Sequence, residues 1–94
     1  MAAYVYLSRN KTPAGLEIEA VLIADTYDEL RRLGRRLELK KRWLKTSSNG
    51  VPCYGLTAGQ MWQAFRHGAI DATEKPELAR PTLQRWWNAK GVVV

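Results

Sequence analysis

Val21-Leu22-Ile23-Ala24-Asp25-Thr26-Tyr27-Asp28-Glu29-Leu30-Arg31-Arg32-Leu33-Gly34-Arg35-Arg36-Leu37 changes its hydrophobic period in the middle. Val21-Leu22-Ile23 is continuously apolar, the pattern of a strand covered on both faces. Asp25 or Thr26 can then cap a helix. Thr26-x-x-Glu29 has the spacing of a capping box, in which the hydroxyl accepts from an orphan amide and the carboxylate reaches back. Asp28 and Glu29 also stand at the positive end of the helix dipole. At about 100° per residue, Tyr27, Leu30, Leu33, Gly34 and Leu37 fall within one arc and Arg31, Arg32, Arg35 and Arg36 on the opposite one. A strand therefore runs into a helix that buries leucines and turns guanidiniums outward.

Working outward, residues 3–8 are rich in strand formers and Leu16 to Ala24 begins by alternating. The turn chemistry of Asn10-Lys11-Thr12-Pro13-Ala14-Gly15 between them predicts a hairpin. On the other side, residues 41–46 and 51–56 read as strands joined by Ser47-Ser48-Asn49-Gly50, where Asn-Gly supplies positive φ angles. Alternation in the first of these would put Lys41, Trp43 and Lys45 on one face. Thr57 and Gln60 repeat the capping logic. Ala58, Met61, Trp62 and Phe65 have helical spacing, and Gly68 can close that helix. Residues 69–72 are a candidate short strand. Pro81 suits the first turn of a last helix carrying Leu83, Trp86 and Trp87, ended by Gly91, with Val92–Val94 a tail or an edge strand. The expectation is one α+β domain over residues 1–94, a small, mostly antiparallel sheet with two or three helices packed on it.

The charge is concentrated. The chain of 94 residues carries +6, yet residues 31–45 alone hold Arg31, Arg32, Arg35, Arg36, Lys40, Lys41, Arg42 and Lys45 against Glu38, for +7. The longest apolar runs are far short of the ~20 residues that a spanning helix needs. The N-terminus lacks the basic and apolar regions of a secretory signal. Cys53 is the only cysteine, so no intrachain disulfide or cysteine cage can form, and a reducing cytoplasmic setting fits.

Tyr4-Val5, Ala24-Asp25-Thr26 with Glu29-Leu30, Leu37-x-Leu39, Trp43, Tyr54 and Gly68-Ala69 resemble a small bacterial and phage family known only as domain of unknown function 4031. The resemblance spans about residues 4 to 80. It implies this fold and a prokaryotic or phage setting, and no activity. Members of that family tend to carry Asp where this chain has Tyr6, His where it has Arg31, and His-Tyr-Asp where it has Cys53-Tyr54-Gly55. A polar site formed by those residues in relatives would be lost here.

Three sets of residues are candidates for function. The basic residues from Arg31 to Lys45, with Trp43 as a stacking aromatic, suit the phosphates of a nucleic acid or ribonucleoprotein; the alternatives are a solvated face or an acidic protein partner. Trp62, Trp86 and Trp87 are expected in or near the core. Trp86 and Trp87 are adjacent, so one of them could anchor a protein contact instead, the mark of an interaction or inhibitor module. A helix-turn-helix from residues 57–67 and 82–89 is excluded by the long segment between them. Catalysis finds little support: His67 sits at a helix end, Cys53 in a strand, and Tyr6, Tyr27 and Tyr54 could line a pocket, although tyrosine is ordinary in strands. No phosphate loop or metal-ligand spacing is present, so neither enzyme activity nor a cofactor or metal is expected.

Overall fold

A computed structural model describes residues 2–13, 15–46 and 50–89. The chain runs β1 (Ala3–Thr12), β2 (Gly15–Ala24), α1 (Tyr27–Arg36), β3 (Leu44–Thr46), β4 (Pro52–Leu56), α2 (Ala58–Arg66), β5 (Ile70–Asp71) and α3 (Arg80–Ala89), with one-turn 3-10 helices at Lys41–Trp43 and Pro76–Ala79. The five strands lie in the order β3-β4-β2-β1-β5. All neighbours are antiparallel except β1 and β5, which pair in parallel through Tyr4↔Ile70 and Val5↔Asp71. The α+β expectation holds.

The apolar run of β2 explains the layering. Leu22 and Ala24 belong to a core with Val5, Tyr54 and Leu56 under Leu30, Leu33 and Leu37, the buried side of α1, and Ala64 of α2. Val21 and Ile23 point the other way, into a second core with Val51, Cys53, Ala72 and Ala79, closed by Leu83, Trp86 and Trp87 of α3. The sheet is thus sandwiched between α1 and α2 on one side and α3 on the other, as strand alternation requires.

Several expectations need correction. The hairpin strands run to Thr12 and resume at Gly15, whose φ is +129°, so the connection is tighter than the turn-rich Asn10–Gly15 suggests. Ala14, Ser47–Asn49 and the tail from Lys90, with Gly91 and Val92–Val94, lie outside the described residues. Residues 41–43 form a 3-10 turn rather than the start of a strand, because only Leu44–Thr46 pair with β4. Lys41, Trp43 and Lys45 therefore do not share a strand face. Tyr27 lies at the margin of the buried arc and is exposed. Trp62, expected in or near the core, is 63% exposed, its ring edge-on to Phe65.

Helices α1 and α2 start and stop by related devices, with different completeness. Thr57 and Gln60 form the full reciprocal box at α2. At α1 the Thr26 hydroxyl accepts from the Glu29 amide at 3.2 Å, but the return bond, from the Thr26 amide to the Glu29 carboxylate, is not made. Both helices end with paired backbone bonds back to the last turn, Leu39 to Gly34 and Glu38 to Arg35 in one, Ala69 to Ala64 and Gly68 to Phe65 in the other. Such a stop needs a left-handed residue. Gly68 supplies it at φ +96° and Glu38, a non-glycine, at φ +58°.

Candidate nucleic-acid interface

The basic segment does not fold into one patch. Arg31 is half-buried and donates through Nη1 to the hydroxyl of Tyr54 on β4. It sits on the flank of α1 nearest Tyr27 and Gly34, so it leaves the outward arc that the sequence assigned to it. Lys45 is also committed, its Nζ 2.9 Å from Glu19 Oε1 on β2. That pairing holds the Lys45 ammonium above its ordinary pKa. Lys40 lies over the ring of Trp43, 5.6 Å from its centroid, and Trp43 itself is exposed. Arg32, Arg35, Arg36, Lys41 and Arg42 are exposed. Among the described residues none of these five has a carboxylate within ion-pair distance.

Two of them meet residues from elsewhere in the chain. Arg32 and Arg36 stand one turn apart on α1 and, with His67 and Gly68, line a cleft of about 460 Å³ floored by Ala2, Ala3, Leu33, Ala69 and Ile70. Arg36 and His67 also line an adjoining hollow of about 370 Å³ with Gln63, Arg66 and Glu38. Together they form a groove between α1 and the end of α2 that is lined by three arginines and the chain's only histidine. Sequence reasoning missed Arg66 and set His67 aside as a helix-end residue. Its amide does close α2, on the carbonyls of Gln63 and Ala64, but its ring is free to line the groove. The available signal was the shared helical spacing: Gln63, Arg66 and His67 fall within one arc of about 100° on α2, with Arg66 opposite Ala64 and Met61.

Glu29 also lines this cleft, and its Oε2 is buried without a hydrogen-bond partner. An acceptor left so costs about 1–3 kcal/mol, more when charged. The unmade half of the α1 capping box thus leaves one Glu29 oxygen buried without a donor, while the residue lines the cleft with Arg32 and Arg36 outside ion-pair distance.

The remaining polar groups serve the fold. Asp25 accepts from the Ala2 amide at 2.9 Å and from the Thr82 hydroxyl, tying the start of β1, the end of β2 and α3 together. Burial disfavours its charge, but those two bonds and the charge of Arg85 outweigh it and hold the carboxyl below its ordinary pKa. Trp86 donates from its indole to the Ala24 carbonyl at 2.7 Å, while the Trp87 indole nitrogen is buried without a partner. Both rings are half-buried against the second core, so neither stands out as a free anchor. Burial pushes the Cys53 thiol up, away from the reactive thiolate. Tyr6 and Cys53 lie together on the face under α3, and Arg31 lies on the opposite side of the sheet. Among the described residues no His, Cys, Asp and Glu side chains group as metal ligands, and no helix is long and apolar enough to cross a membrane.

No family model, no curated protein and no solved structure matches the chain.

Proposed function

We propose that this chain is a non-catalytic nucleic-acid-binding protein that engages phosphates, free or within a ribonucleoprotein, from a cytoplasmic prokaryotic or phage setting. The observation that carries this reading is the set of exposed cations Arg32, Arg35, Arg36, Lys41 and Arg42, unpaired among the described residues and joined by Arg66 across the groove. Planar guanidinium forks suit phosphate oxygens, and the exposed ring of Trp43 offers a stacking surface for a base. The test is affinity for duplex and single-stranded nucleic acid against salt. Binding should fall with a logarithmic slope of about −0.9 per duplex phosphate neutralised. Reversing Arg32, Arg35 and Arg36 to Glu should abolish it. Affinity that is indifferent to salt, or to that triple reversal, would overturn the reading.

An interaction module docking on a protein is the second reading, and the exposure of Trp62 favours it at a different place from Trp86 and Trp87. Capture of one partner that survives nuclease and is lost in Trp62→Ala would decide for it.

A further inference from the structure

We infer that the cleft lined by Glu29, Arg32, Arg36 and His67 is a pocket for one phosphorylated nucleotide. The inference rests on the nucleic-acid reading above and names what this part of the surface takes.

Three observations carry it. Arg32 and Arg36 are an i, i+4 pair, whose Cβ atoms lie about 5–6 Å apart, and both line the cleft with His67. That is a donor set for a phosphate. Glu29 brings the opposite requirement into the same space, a carboxylate that lines the cleft and makes no ion pair with either arginine among the described residues. Inorganic phosphate, an anion made mostly of acceptor oxygens, meets that carboxylate with like-charge repulsion. A nucleotide satisfies both ends, with its phosphate on Arg32 and Arg36 and a ribose hydroxyl or base N–H donating to Glu29. The volume, about 460 Å³, lies within the ~300–1,000 Å³ range of small-ligand sites. Gly68 leaves the wall open, since nothing lies within 4 Å of where its Cβ would be.

The ligand could be a free nucleoside monophosphate or the phosphorylated end of a strand, and the experiment separates these. Calorimetry on the full chain would compare inorganic phosphate, adenosine, adenosine 5′-monophosphate, and one single-stranded oligonucleotide with and without its 5′-phosphate. The monophosphate should bind at least about tenfold tighter than phosphate or nucleoside alone. Arg36→Ala should abolish that binding. Glu29→Ala should erase the preference over inorganic phosphate without weakening phosphate itself, and Glu29→Gln provides a shape-preserving second variant, with melting curves as the folding control. A preference for the 5′-phosphorylated strand that free monophosphate competes away identifies the strand end; oligonucleotides that bind alike beside a tight monophosphate identify the free nucleotide. Equal affinity for phosphate and monophosphate, or a preference untouched in both Glu29 variants, overturns the pocket. Duplex binding measured on the same samples keeps the two failures apart. Duplex binding without nucleotide preference sinks the pocket alone, and nucleotide preference without duplex binding sinks the backbone reading alone.

Discussion

The phenol of Tyr54 is packed under Gly34, so closely that a Cβ on Gly34 would lie 2.9 Å from its Oη and 3.0 Å from Cε2 and Cζ. Tyr54 is wholly buried on β4 and its hydroxyl accepts from Arg31 on the next face of the same helix. Glycine at this helix position lowers helix propensity by ~1 kcal/mol, so the close approach has to be worth more. Gly34→Ala should therefore destabilise the chain by about 1–3 kcal/mol, the usual cost of overpacking, in spite of alanine's better propensity. Tyr54→Phe should cost ~1 kcal/mol for the lost bond from Arg31. The double variant should recover only part of the Gly34→Ala loss, because two ring carbons stay within 3.0 Å. Urea melts of the three variants check this, and a neutral or stabilising Gly34→Ala would refute the packing argument.

Left-handed backbone at the ends of α1 and α2 gives a second prediction, of opposite sign at the two positions. Glu38 holds φ +58° without being glycine, which costs about 1–2 kcal/mol for an L-residue. Glu38→Gly should raise stability by ~0.5–1 kcal/mol once the added freedom of the unfolded chain is subtracted. Gly68→Ala should lower it by ~1 kcal/mol. A Cβ there meets nothing within 4 Å, so any loss reports the backbone alone. Thermal melts showing the same sign for both would contradict the account.

Local chemistry was the legible part of this fold. Thr57 and Gln60, Gly68, Pro81 and the doubly covered Val21-Leu22-Ile23 each do what their residue types and spacing require. What was hidden depends on who lies opposite. Lys41, Trp43 and Lys45 alternate like a strand, yet pairing with β4 begins only at Leu44, so the first two coil into a 3-10 turn. Arg31 shares helical spacing with Arg35, but the proximity of Tyr54 recruits it, a contact 23 residues away in sequence. Glu19 and Lys45 meet because β2 and β3 both flank β4. The groove was invisible for the same reason. It joins α1 to the end of α2, and only the packing of both helices on one sheet face brings Arg36 to His67.

Asp25 makes a pH prediction. Its carboxyl lies below the ordinary value of 3.8 in the folded chain, with the bonds from Thr82 and Ala2 overcoming burial. A depressed carboxylate contributes stability that is present above the unfolded value and is lost as the pH falls through the folded one. The stability gap between the chain and Asp25→Asn should therefore be widest near neutrality and close as the pH drops below 3.8. At neutral pH the gap should be about 1–3 kcal/mol, since Asn would turn its NH₂ toward either the Ala2 amide or the Thr82 hydroxyl. Thr82→Val removes one lowering bond and moves the folded carboxyl back toward its ordinary value, so its own acid decline should be smaller and should end at a higher pH. Denaturant melts across that range measure both, and a gap that widens in acid would reverse the assigned sign.

The division of the basic segment into committed and free cations makes the prediction that bears most directly on function. Lys45→Ala and Arg36→Ala each remove one positive charge, so net charge alone predicts equal losses of nucleic-acid affinity. The structure separates them. Lys45 is paired with Glu19 at 2.9 Å, and its removal leaves a carboxylate exposed, with a stability cost of only about 0–1 kcal/mol because both partners are substantially solvated. Arg36 has no such partner among the described residues and lines both parts of the groove. A cation already neutralised by a carboxylate releases fewer counterions on meeting a phosphate. Arg36→Ala should therefore reduce the duplex salt slope by about 0.9, the value for one phosphate contact. Lys45→Ala should change it by less than half as much. Adding Glu19→Gln to the intact chain should strengthen binding by freeing Lys45, a gain that a net-charge argument also predicts. The discriminating result is that this gain disappears when Lys45 is already alanine. Equal slopes for Lys45→Ala and Arg36→Ala, or a Glu19→Gln gain that survives without Lys45, would mean that the phosphates sense only the total charge of the chain.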